Sequence, residues 1–174
     1  YKVVIKYMLE NNLAYPCFCS PDELSSMRKE QDANKENFGY YGKYAKCSTL
    51  SPEVAIERIK NGDPYIIRFR SKGDYHNKIV INDAIRGRIE MAQNDQHIVI
   101  FKSDGLPTYH FAHLVDDHFM RTTHVTRGEE WMPSVPVHVE LFETMNWQHP
   151  VYAHLPVIMK LDNGNRRKLS KRKD

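Results

Sequence analysis

Thr123-His124-Val125-Thr126-Arg127-Gly128-Glu129-Glu130-Trp131 is the stretch whose reading decides the fold. Residues 123–127 read as extended backbone, closed by Gly128. Residues 107–115 before it read as a helix. After it, residues 133–146 read as a second helix, with Val135, Val139 and Phe142 at helical spacing, and residues 152–161 are again extended. Strand and helix alternating in this order predict a parallel, doubly wound α/β sheet.

Moving outward, the rhythm changes upstream of residue 101. Tyr1, Val4, Ile5, Met8 and Leu9 follow the spacing of an amphipathic helix with no capping residue before it, so the chain is read as starting inside a helix of a longer protein. Asn11-Asn12 stops that helix, and an extended segment over 13–19 is broken by Pro16. Ser20-Pro21-Asp22-Glu23 is a capping box with proline at the first helical position, which predicts a helix over 21–33. Ser51-Pro52-Glu53 opens another that Asn61-Gly62 closes. Tyr65, Ile67 and Phe69 alternate with Ile66, Arg68 and Arg70, the pattern of a half-buried strand, and strand-like runs follow over 78–82, 88–91 and 97–101. Residues 17–100 therefore read as a small α+β unit. The far end reads as a charged loop with neither helix nor strand to anchor it.

The 174 residues are 41% hydrophobic and 27% charged, with a formal charge of +3. A chain of this size buries roughly two-thirds of its unfolded surface. No apolar run approaches the ~20 residues of a membrane helix, which excludes a membrane-spanning role. Three cysteines give no even disulfide framework, so a reducing, cytoplasmic setting is expected. The basic residues crowd into 166–174, a composition that suits either a solvated loop or a phosphate site.

The wording of that tail, Lys168-Leu169-Ser170-Lys171-Arg172, is a version of the K-M-S-K-S signature of class I aminoacyl-tRNA synthetases. Five residues alone are a weak signal, but others agree with them in order and spacing. Asp104-Gly105-Leu106-Pro107-Thr108-Tyr109-His110-Phe111-Ala112, then Val115-Asp116-Asp117, residues 123–131, and Tyr152-Ala153-His154-Leu155-Pro156 together resemble the second half of the glutamyl-tRNA synthetase catalytic domain. The resemblance covers the whole chain and is most specific over 103–172. It implies residues 1–16 as the end of a first catalytic half, 17–100 as an inserted α+β subdomain that binds the tRNA acceptor end, and 101–174 as a second, Rossmann-like half.

The resemblance also implies roles. Adenylate formation from glutamate and Mg-ATP builds negative charge on the departing phosphates; Lys168 and Lys171 are placed to meet it, with Ser170 shaping the loop. A planar guanidinium suits a carboxylate, and Arg127 falls where the family holds the glutamate side chain. Tyr109 lines the same pocket, as does His113, at a position where the family often carries Asn or Val. Glu130 and Trp131 border the ATP adenosine. Arg68, Arg70, Lys72, Arg86 and Arg88 are candidates for tRNA phosphates, against their reading as the solvated face of a small sheet. Partners are thus glutamate, ATP and a glutamate-accepting tRNA, with the protein a monomer. No H-I-G-H sequence occurs, so a module without activity of its own is expected. Two rivals stand beside this reading: the paralogue that glutamylates the queuosine base of a tRNA, and a non-catalytic RNA-binding module.

Two clusters invite a metal. His110, His113, Asp116, Asp117 and His118 are dense, but the resemblance assigns the two aspartates to bracing a helix end. Cys17, Cys19 and Cys47 supply three of the four ligands that zinc wants, and some relatives hold a structural zinc in this insertion, where Tyr44 stands to complete it. No neighbouring His or fourth Cys appears, and unliganded buried cysteines are the favoured reading.

Overall fold

A computed structural model describes residues 1–162 and 164–169. Ser170 and Lys171 of the basic signature lie outside the described residues.

Helix α1 (Lys2–Glu10) turns Val4, Ile5 and Met8 inward. It stops at Asn12, whose φ of 57° is left-handed. Strand β1 (Ala14–Cys17) carries Pro16 within it rather than being broken by it. The sheet order β1-β2-β5 puts β1 on an edge, where a missing N–H is tolerated. Helix α2 (Pro21–Ala33) has the full capping box, Ser20 and Glu23 each bonding the other's backbone N–H. Two short 3-10 turns lead to α3 (Pro52–Lys60), which Ser51 caps.

Strand β2 (Ile66–Phe69) lies between β1 and β5 (Val99–Phe101), antiparallel to both. Ile67, Arg68 and Phe69 are all buried, so the expected half-buried alternation fails: a central strand has both faces covered. Strands β3 (Lys78–Asp83) and β4 (Gly87–Ala92) form a hairpin. Residues 17 and 100, the expected limits of the inserted unit, fall inside β1 and β5 of one sheet.

Helix α4 (Tyr109–Phe119), strand β6 (His124–Gly128), a 3-10 segment over Glu129–Ser134, helix α5 (Val135–Thr144) and strand β7 (Val151–Leu155) follow. β6 and β7 pair in parallel with α5 crossing between them, a βαβ unit that accounts for the parallel order found among the described residues. The extended segment expected over 152–161 splits at Pro156 into β7 and β8 (Met159–Asp162). The basic stretch, expected to lack a strand, contributes β9 (Asn165–Lys168), which pairs with β8 around Gly164 at φ 82°.

The main core joins α1, β1, β2, β5, α4 and α5 through Met8, Phe69, Ile100, Phe111, Leu114, Leu141 and Phe142. A second cluster, of Ile81, Val135, Val139 and Tyr152, seats the β3–β4 hairpin on α5 and β7. No helix among the described residues is long and apolar enough to cross a membrane.

Candidate active site

The start of α4 is fixed by a turn. Gly105 (φ 79°) lets Lys102 N–H donate to the Leu106 carbonyl at 2.9 Å, and Asp104 Oδ1 accepts from Leu106 N–H at 3.0 Å. Thr108 then ties helix to sheet: its N–H donates to the Ile100 carbonyl at 2.9 Å and its hydroxyl to the Val99 carbonyl at 2.8 Å. The helix so held sets Tyr109 against Trp131, His110 against His138 of α5, and His113 against His138 and Tyr152 of β7.

In the parallel register Arg127 lies opposite His154, and Val125 opposite Tyr152. Arg127 is the centre of the arrangement. Its Nε donates to His154 Nε2 at 2.9 Å, its Nη1 meets His138 Nδ1 at 3.2 Å, and its Cζ sits 5.0 Å from the centre of the Tyr152 ring. Nη2 is buried and has no partner. A guanidinium is all donor, so both imidazole nitrogens facing it are acceptors. His138 therefore carries its proton on Nε2, 2.8 Å from His110 Nδ1. Burial, aided by the charge of Arg127, pushes His110 down, and burial followed by the neighbouring His113 and Arg127 pushes His138 down to about 2. His113 is likewise held down by burial although Asp117, its partner at Nδ1, opposes this; its Nε2 meets the Tyr152 hydroxyl at 2.9 Å. His110, His113 and His138 are thus held toward their neutral forms.

Tyr109, 47% exposed, closes the outer side: its ring stacks on His113 and lies 4.5 Å from that of Trp131. Glu130 pairs with Lys168 of β9, which holds its carboxyl below the usual range and brings two of the sequence-predicted residues together. Asp116 accepts the Tyr1 hydroxyl and Asp117 braces His113 within α4, so these carboxylates face ring and hydroxyl partners.

The arginines named for tRNA separate. Arg68 is 7% exposed, stacks 3.9 Å over Tyr40 and donates to the His97 carbonyl, so it is not part of a solvated face. Arg70 lies over Tyr15 and donates to the Ser48 carbonyl. Arg86 pairs with Glu129 and reaches the His154 carbonyl. Arg88 and Lys72 remain exposed.

The cysteines do converge. The Cys17, Cys19 and Cys47 sulfurs lie within 4.8 Å of one another, near the ~3.8 Å spacing that tetrahedral zinc imposes on its thiolates. The fourth group is Tyr40, not Tyr44: its oxygen is 3.5 Å from Cys17 Sγ and 3.2 Å from Cys19 Sγ, and it accepts from Cys47 N–H. The 3-10 turn Gly42–Tyr44 points the Tyr44 hydroxyl to Glu36 instead. The Cys47 thiol, outweighing burial and aided by Tyr40, brings Cys17 down to about 4, whereas Cys47 is pushed up by Cys17 and by burial.

Residues that the sequence left without a role are Asp83 and His138, and Tyr152 and His154 appeared only as words in a motif. The register Arg127↔His154 becomes readable only once β6 and β7 pair.

The βαβ unit thus carries, near the end of β6, an arginine whose Nη2 is buried without a partner, with the Tyr152 ring against its guanidinium. Residues 1–174 match the family described as tRNA synthetases class I (E and Q), catalytic domain, and the chain belongs to that family. Across its full length it is 53% identical to the glutamate–tRNA ligase of Clostridium beijerinckii and 52% identical to that of Acetivibrio thermocellus. It spans 32% of each of those relatives, about a third of their length. Among solved structures, a glutamate tRNA ligase from Elizabethkingia meningosepticum in complex with its amino acid superposes with a TM-score of 0.82 at 38% identity, covering 99% of this chain and 34% of that one. The glutamate–tRNA synthetase of Elizabethkingia anophelis gives the same TM-score.

Proposed function

We propose that the protein carrying this chain joins glutamate to tRNA: an α-carboxylate oxygen of glutamate attacks the α-phosphate of ATP and pyrophosphate leaves, then a hydroxyl of the terminal ribose of the tRNA attacks the carbonyl of the glutamyl-adenylate and AMP leaves. The observation that carries this reading is Arg127, whose Nη2 is buried without a partner while its other groups are held. An unpaired buried guanidinium donor is costly, and the side-chain carboxylate of glutamate supplies the missing acceptor. Tyr109 and His113 shape that pocket. Glu130 and Trp131 lie on the ATP side; Lys168, with Ser170 and Lys171, follows the charge on the phosphates, and Mg2+ accompanies ATP. The fold behind this is a Rossmann-like second catalytic half, 101–174, with 17–100 inserted to bind the acceptor end, where exposed Arg88 and Lys72 are the phosphate contacts. The protein works as a cytoplasmic monomer. In the whole protein, ATP–pyrophosphate exchange in the presence of cognate tRNA should depend on glutamate and not on glutamine or aspartate. Exchange indifferent to the amino acid, or none at all, would remove this reading in favour of an RNA-binding module. Transfer of glutamate to a queuosine-bearing tRNA rather than to a tRNA 3′ end would identify the paralogue.

Zinc in the cysteine cluster belongs to the same proposal. Three sulfurs with the Tyr40 oxygen form a four-donor set, and the metal would fix the loops around β1 and the 3-10 turns. Protein purified without chelator should contain about one zinc per chain, lost in Cys19→Ser. Metal-free protein with three reactive thiols and unchanged stability would exclude the site.

A further inference from the structure

We infer that Asp83 and His154 are positioning residues for Arg127, locking one imidazole tautomer so that the guanidinium turns its free donor to the ligand. The inference rests on the reading of Arg127 as the carboxylate anchor.

The three residues form one line. Asp83, at the end of β3, is 4% exposed and His154, in β7, is 1% exposed. Asp83 Oδ2 lies 2.6 Å from His154 Nδ1 and also accepts from the His154 backbone N–H at 3.1 Å. The other oxygen, Oδ1, accepts from the Ile85 and Arg86 N–H groups at 2.9 Å each. Burial raises the Asp83 pKa, but these bonds outweigh it and bring the group down to about 2. The carboxylate is therefore fully charged, with nothing but acceptors to offer.

That fact sets the proton. His154 Nδ1 must donate to Asp83, so Nε2 bears a lone pair, and it is Nε2 that accepts from Arg127 Nε. The opposite tautomer would set N–H against N–H at 2.9 Å and swing the guanidinium away. A second acceptor, His138 Nδ1, takes Nη1 at 3.2 Å. With two edges of the fork fixed, Nη2 has one direction left, and it is the group without a partner. Asp83 belongs to the β3–β4 hairpin, within the proposed acceptor-binding unit, so the hairpin sets the amino-acid anchor without touching the amino acid.

The test uses the whole protein and separates the Michaelis constants for glutamate and ATP. In His154→Asn the amide occupies the Nδ1 position, keeps the Asp83 bond and loses the Arg127 bond. In His154→Gln the amide oxygen reaches the Nε2 position and can accept from Arg127. The expected result is a rise of roughly 10- to 100-fold in the glutamate constant for Asn, much of it restored by Gln, with the ATP constant little changed. In an Arg127→Ala background, His154→Asn should shift the glutamate constant by no more than about two-fold. Asp83→Asn presents an N–H to Nδ1, forces the wrong tautomer and should match His154→Asn; it serves if the latter does not fold by thermal unfolding. Equal effects of Asn and Gln, or an undiminished effect in the Arg127→Ala background, would overturn the inference while leaving the anchor intact. No effect of Arg127→Ala itself would overturn both the anchor and its positioning.

Discussion

Replacing Arg127 with alanine raises the Michaelis constant for glutamate by about 100-fold or more and leaves that for ATP within a few-fold. The magnitude follows from the arrangement. A carboxylate held by a buried guanidinium loses a charge-assisted bond, and breaking such a pair costs roughly 3–5 kcal/mol. One factor of ten corresponds to about 1.4 kcal/mol. The selectivity follows from what each side chain meets: Arg127 is held by His154, His138 and Tyr152, whereas Glu130, within the 3-10 segment, pairs with Lys168 of β9. Arg127→Lys should fall between alanine and the native protein, since a point charge cannot serve His154, His138 and a ligand at once. Steady-state kinetics of the whole protein check this, with unfolding midpoints to show that the variants remain folded. Near-native glutamate kinetics in Arg127→Ala would mean that the orphan donor faces something other than substrate.

Local signals in the sequence were decisive where they were mechanical. The capping box at Ser20 and Glu23 located α2 to the residue, because both orphan N–H groups are satisfied within four positions. Ser51, whose hydroxyl accepts from Val54 N–H, and Gly62, left-handed at φ 82°, bracketed α3 in an equally local way. What the sequence could not show is what depends on pairing between distant strands. Arg68 reads as the polar side of a strand, yet β1 and β5 flank it and Tyr40 covers it, so it is buried as a brace. Tyr44 is nearer to Cys47 in sequence than Tyr40 is, but the 3-10 turn decides which phenol reaches the thiols. The 3-10 segment Glu129–Ser134, with Pro133 inside it, takes the first two positions of the helix expected from residue 133, and α5 begins at Val135, where the apolar periodicity begins.

The candidate site divides along the same line. Tyr109, Arg127, Glu130 and Trp131 stand in wording that a family resemblance can read. Asp83 lies 44 positions before Arg127 and 71 before His154, at the end of an ordinary β-hairpin strand. No local pattern marks it. Its importance comes from β3 packing against β7, where the Ala84 N–H donates to the Tyr152 carbonyl and sets the carboxylate beneath His154.

The largest loss of stability is expected at Phe111. The side chain is fully buried on α4, in the cluster shared with Val4, Ile5 and Met8 of α1, Ile100 of β5, and Leu141 and Phe142 of α5. Removing a buried phenyl group forfeits its transfer free energy and leaves a cavity that three packed helices cannot readily close; such changes cost about 3–5 kcal/mol. Against a total of ~5–15 kcal/mol for a domain, that is a third of the stability or more. Phe111→Ala should therefore lower the urea midpoint with an unchanged slope, and lower the melting temperature by on the order of 10 °C. Phe111→Leu, which keeps most of the volume, should lose less than half as much. The effect should reach the site as well, because Tyr109 and His113 lie on either side of Phe111 along the same helix and their distances to Trp131 and Tyr152 are set by how α4 seats. A rise in the glutamate constant that accompanies the destabilisation would tie the pocket to this core. A loss below about 1 kcal/mol in Phe111→Ala would show that the α1–α4–α5 packing is not what holds the helix in place.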